Sequence, residues 1–125
     1  MLYPALFSYE SAIKRKLKHV PKQPSHFDHT RLDGLIHSRI RLAVMAVLAS
    51  VPRAEFTFIR DKVKTSDGNL STHLRKLEDS GYVAVSKRIE GRKPVTDVSL
   101  TVAGRQAFSD YIKHIEDLLS NQLRD

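Results

Sequence analysis

The sequence predicts a mainly α protein carrying one small β-hairpin. Three observations lead there: apolar residues recur at three- and four-residue steps through most of the chain, one pair of alternating runs flanks a glycine turn, and caps and breakers separate the segments. With 125 residues, the chain has the size of one structural unit around one core, too small for a multidomain enzyme. The absence of cysteine rules out a disulfide framework, a thiol nucleophile and thiolate metal sites, and suits a reducing cytoplasm.

Residues 4–20 read as an amphipathic helix, with Pro4 in the first turn and Leu6, Tyr9, Ile13, Leu17 and Val20 on one face. Pro21 ends it, and the following residues 22–26 have the composition of a linker. From Leu32 a second unit is expected. Asp33 or Ser38 can cap a core helix with Ile40, Val44, Val47 and Leu48 inward, running to Val51 and Pro52. Thr57 is the expected cap of a short helix through about Val63, with Phe58, Ile59 and Val63 inward. Ser66 then caps a helix that ends at Gly81, with Leu70, Leu74 and Leu77 toward the core. Residues 82–89 and 95–100 alternate around the turn Glu90-Gly91-Arg92-Lys93. Thr101 caps the last helix, whose stripe is Phe108, Ile112, Ile115 and Leu119. Helix, helix, turn, helix, hairpin, helix is the order of a winged helix-turn-helix.

Charge is distributed unevenly over this plan. Six cations face two acids in residues 1–31, twelve face eight in 32–100, and three face four in 101–125, for a net charge of +7. An excess held in the first two thirds points to a polyanionic partner. The helix from Ser66 turns Asn69, Ser71, Thr72, Arg75 and Lys76 away from its leucines. Asn can pair bidentately with adenine, hydroxyls bond base edges or phosphates, and Arg and Lys reach guanine or the backbone. An ordinary solvated helix would favour Glu, Ala and Gln over these weak helix formers. In the hairpin, Lys87, Arg88, Arg92 and Lys93 crowd around the lone acid Glu90. Such a basic finger suits a backbone or a narrow minor groove, although charged edge strands also protect against aggregation.

With these segments in view, the sequence resembles the small winged helix-turn-helix transcriptional regulators of the MarR and ArsR superfamily, in particular compact single-domain members. The likeness spans about residues 32–119. It rests on LDGLIHS at 32–38 leading into the helix at 39–48, SDGNLSTHLRKLEDSGYV at 66–83, GRKP at 91–94 and LTVAGR at 100–105. The resemblance implies that the Ser66 helix is the recognition helix, that Arg92 belongs to the wing, and that the terminal helices form a homodimer. The stripe on the last helix fits that implication, with packing on its own domain as the alternative. For residues 1–31, whose Leu6, Tyr9 and Ile13 are assigned to the dimer contact, three roles stay open: a dimer arm, a DNA-backbone contact, or a membrane-surface or partner helix.

The expected organisation is an N-terminal basic helix and linker (1–31), a winged helix DNA-binding domain (32–100) and a C-terminal dimerisation helix (101–125). The expected function is homodimeric, sequence-specific regulation of transcription on double-stranded DNA, in the cytoplasm, without cofactor, with no assigned effector. Ser66, Asn69, Ser71, Thr72, Arg75, Lys76, Lys87, Arg88, Arg92 and Lys93 are the expected DNA contacts, and Phe108, Ile112, Ile115 and Leu119 join the dimer contact. The alternative is a protein-interaction or nonspecific nucleic-acid-binding module. No run approaches the 18 or so apolar residues of a membrane span, and the first 30 residues lack the make-up of a secretory signal. Enzyme motifs are missing: Ser11-Ala12-Ile13-Lys14 has serine-lysine spacing, but no accompanying element follows. Asp110, His114 and Asp117 share a helix face, too few ligands at too open a site to predict a metal.

Overall fold

Apolar spacing and local caps place each element, and the core then fixes how the elements meet. In the computed structural model, which describes residues 29–123, a short 3-10 turn at His29–Arg31 leads to α1 (Arg39–Ala49). Asp33 shapes the entry by accepting the backbone N–H groups of Leu35 (2.9 Å) and Ile36 (3.4 Å). Ser38 stands at the N-cap in extended conformation, but its side chain makes no cap bond. Val44, Met45 and Leu48 are fully buried, while Ile40 and Val47 pack at the core margin. The helix stops at Ser50, two residues before Pro52.

The chain then forms β1 (Ala54–Glu55), a two-residue strand that the sequence did not announce, and passes directly into α2 (Phe56–Val63). Glu55, not Thr57, occupies the N-cap. The inward row is Phe56, Ile59 and Val63, and the expected inward Phe58 is 45% exposed. The reason is geometric: the helix begins two residues earlier than expected, and Phe58 lies about 200° round the axis from Phe56. Lys62 instead sits 5.6 Å above the Phe58 ring.

Helix α3 (Asp67–Asp79) opens where Ser66 Oγ accepts the N–H of Asn69 at 3.1 Å. It closes on Gly81 at φ 81°, with the Tyr82 N–H on the Leu77 carbonyl and the Gly81 N–H on that of Glu78. Leu70, Leu74 and Leu77 enter the core as their spacing requires. Strands β2 (Val83–Glu90) and β3 (Lys93–Leu100) follow, joined by Gly91-Arg92 with Gly91 at φ 67°. Positive φ at the first turn residue alone suits a two-residue hairpin connection. The sheet is antiparallel in the order β1-β3-β2, with Ala54 opposite Val98 and Val83 opposite Leu100.

Thr101 caps α4 (Val102–Leu123) by accepting the Gly104 N–H at 3.0 Å. The same residue joins the helix to the end of α3: its hydroxyl donates to the Gly81 carbonyl and its N–H to that of Tyr82. Phe108 and Tyr111 are 4% and 3% exposed and belong to the same core as α1 and α3. Phe108, expected on a dimer stripe, therefore serves its own domain. It stands one turn beyond Gly104, where α4 is drawn tight against the chain at Tyr82.

Candidate nucleic-acid interface

Burying three leucines on one side of α3 leaves its other side to the solvent. Ser66, Asn69, Ser71, Thr72, Arg75 and Lys76 are all exposed, as expected. The helical repeat sets them in two adjacent rows, Asn69, Thr72 and Lys76 beside Ser71 and Arg75. Two hydroxyls also have local duties: Ser66 holds the cap, and Thr72 Oγ1 donates to the Gly68 carbonyl at 3.0 Å. Asn69 contributes only its backbone to the cap, so its amide side chain is available to a ligand.

The orientation of this helix depends on contacts that the sequence did not reveal. Arg60 of α2 bonds Asp67 in the first turn of α3 at 2.9 Å and Asp61 at 3.0 Å. Farther along, Arg41 of α1 donates to Nδ1 of His73 at 2.9 Å and to the Leu35 carbonyl. Burial, then the charges of Arg41 and Lys76, holds the His73 pKa below its ordinary value. The ring stays neutral, which lets Nδ1 accept. Stability is expected to be full above the unfolded histidine pKa of about 6.5 and to fall as the pH drops toward the lower folded value, because there the unfolded chain binds more protons. Denaturation followed from pH 7.5 to 5 in the native protein and in His73→Gln tests this. A loss of the same size in both would assign the effect elsewhere.

At the hairpin, Lys87, Arg92 and Lys93 are exposed without ion pairs among the described residues. Arg88 differs from the free wing cation that was expected. Its guanidinium meets Asp97 at 2.6 Å, Glu90 at 2.7 Å and Glu55 at 3.2 Å, which ties β2 to β3 and to the end of β1. The bonds to Asp97 and Glu90 raise its pKa, and Asp97 is nearly buried at 6% exposure. Arg88→Ala is expected to strand Asp97, lower the thermal midpoint and speed amide exchange in the hairpin, whereas Lys87→Ala should leave both unchanged. Equal midpoints for the two variants would show that the bracing is idle.

The other expected contacts divide. Ile112 and Ile115 are half-buried against the core and Leu119 is 41% exposed, so an open stripe survives only toward the end of α4. Leu6, Tyr9 and Ile13 lie outside the described residues. Beside α4, His37 Nδ1 shares a hydrogen bond with the Tyr111 hydroxyl at 2.8 Å. The Tyr82 hydroxyl donates to Asp33, a bond that together with burial pushes its pKa up to about 12. Asp110 is bonded by Gln106 at 2.9 Å, and among the described residues no group of three or more His, Asp or Glu is placed to hold a metal. No helix among them is long and apolar enough to cross a membrane.

Helix-turn-helix and hairpin thus present polar and basic groups while their apolar faces meet in one core. A family model for the winged helix DNA-binding domain matches residues 40–119, which take in every element from α1 to the exposed part of α4. The chain belongs to that winged helix family. An uncharacterized protein of Methanocaldococcus jannaschii is 34% identical over 87 residues, covering 70% of this chain and 95% of that protein. Among solved structures, a transcriptional regulator homologue from Pyrococcus horikoshii OT3 superposes with a TM-score of 0.68 at 22% identity, covering 89% of this chain and 97% of its own. The repressor CouR bound to a 23-mer DNA duplex has a TM-score of 0.58 at 18% identity, covering all of this chain and 80% of its own. At these identities the winged helix likeness is one of fold.

Proposed function

We propose that the protein is a homodimeric, sequence-specific DNA-binding transcriptional regulator. The observation that carries this reading is the exposed face of α3, where Asn69, Ser71, Thr72, Arg75 and Lys76 stand opposite a leucine row that anchors the helix. Set in a major groove, this face puts an amide and hydroxyls at base edges and two cations near guanine or phosphate. Lys87, Arg92 and Lys93 hold the backbone or minor groove beside it, while Arg88 keeps the wing in shape. Membership of a DNA-binding domain family supports the reading, as do solved structures of the same fold bound to DNA.

In the dimer, Leu119 and the outer sides of Ile112 and Ile115 meet a second copy, with residues 1–31 as an arm. The unit at 32–100 reads DNA and the C-terminal segment at 101–125 pairs the copies, each on one half of a pseudo-palindrome, in the cytoplasm and without a cofactor. Regulation is then steric. The test is selection of bound duplexes from a random pool at near-physiological salt. An enriched inverted repeat with half-sites about one helical turn apart supports reader and dimer together. Binding without enrichment, vanishing as salt rises, would leave only nonspecific attraction.

A further inference from the structure

Alternation along β2 puts Val83, Val85, Lys87 and Ile89 on one face of the hairpin. The first two reach the core. Beyond them the β2 side of the face opens to solvent: Lys87 is exposed and Ile89 ends 70% exposed, the most exposed large apolar side chain of the sheet. Its cross-strand partner is Pro94, also exposed, so the two form one small apolar surface just behind the turn. Lys87 shares that face and Arg92 forms the turn, neither with an ion pair among the described residues. The acids lie on the opposite face, where Arg88 gathers Glu55, Glu90 and Asp97.

We propose that Ile89, backed by Pro94, is a minor-groove contact of the wing, so that the hairpin selects groove shape and floor chemistry as well as charge. This rests on the reading of the protein as a DNA binder. Charge complementarity decides the occupant: free cations flank the apolar pair, and a polyanion satisfies them where an apolar protein pocket would bury them unpaired. The minor groove supplies both requirements, with phosphates along its rims and deoxyribose between. At about 6 Å wide it admits a side chain at the hairpin tip, and a narrow A·T-rich groove brings its walls closer to that side chain. At the floor, guanine presents an N2 amino group that Ile89 cannot accept from, so a G·C pair there loses a hydrogen bond to water without replacement. Bracing by Arg88 keeps the contact in register.

The test uses the duplex enriched by selection, with the base pairs under the wing varied among A·T, G·C and inosine·C, which lacks the N2 amino group but keeps the major-groove pattern of G·C. The native protein is expected to bind A·T and inosine·C versions about tenfold more tightly than G·C. Ile89→Ser should abolish most of that preference with the salt slope unchanged, and Ile89→Val should retain it. Thermal melting confirms that both variants fold. Discrimination by Ile89→Ser equal to the native protein overturns the proposal, as does inosine·C behaving like G·C, or a variant altered only in self-association. A native protein that enriches no duplex fails at the earlier step, and both readings fall together.

Discussion

Gly104→Ala is expected to destabilise the protein by about 3 kcal/mol, although alanine is the better helix former by about 1 kcal/mol. A Cβ on this buried residue would stand 2.0 Å from the Tyr82 carbonyl oxygen and 2.9 Å from its carbon. The obstacle is backbone, and it is held in place: the same oxygen accepts the Thr101 N–H at 3.1 Å, and Tyr82 is bonded at its other end to Leu77 and through its ring to Asp33. Relief would require lifting the first turn of α4 from the end of α3, and with it Phe108 and Tyr111 from the core. Chemical denaturation measures the cost. Gly68 in the first turn of α3 is the control, since a Cβ there meets nothing within 4 Å and Gly68→Ala should be neutral or stabilising. A loss under 1 kcal/mol for Gly104→Ala would show that the contact between α4 and Tyr82 yields easily.

The second large effect concerns recognition. Asn69→Ala is expected to relax base preference at one position of the half-site by about 1–3 kcal/mol while affinity for other sequences stays close to native. The substitution is clean, because the Ser66 cap uses the Asn69 backbone and survives the loss of the side chain. Arg92→Ala should behave differently, weakening binding to all duplexes and reducing the salt slope by about one. Titrations of a panel of single-base operator variants at several salt concentrations separate the two patterns. If both variants lose affinity equally on every duplex, α3 does not read bases and the division of labour between helix and wing is wrong.

Read from the chain alone, the order of helices and hairpin, the leucine row of α3, the caps Ser66 and Thr101, and the turn glycines Gly81 and Gly91 were all legible. Each depends on neighbours within a few residues, where apolar period, capping and left-handed φ leave a direct mark on residue choice. The exposed polar face of α3 was legible for the same reason, as the complement of its buried side. Tertiary structure decided the rest. Ala54 becomes a strand because Val98 lies beside it, and that pairing moves the start of α2 so that Phe56, not Phe58, faces inward. Phe108 goes to its own core because Gly104 lets α4 close on Tyr82. Arg88 becomes a brace because Glu55 and Asp97 converge on it from distant positions in the chain. Periodicity tells a side chain which way to face along its own element; which partner waits there is settled only when segments far apart in sequence pack together.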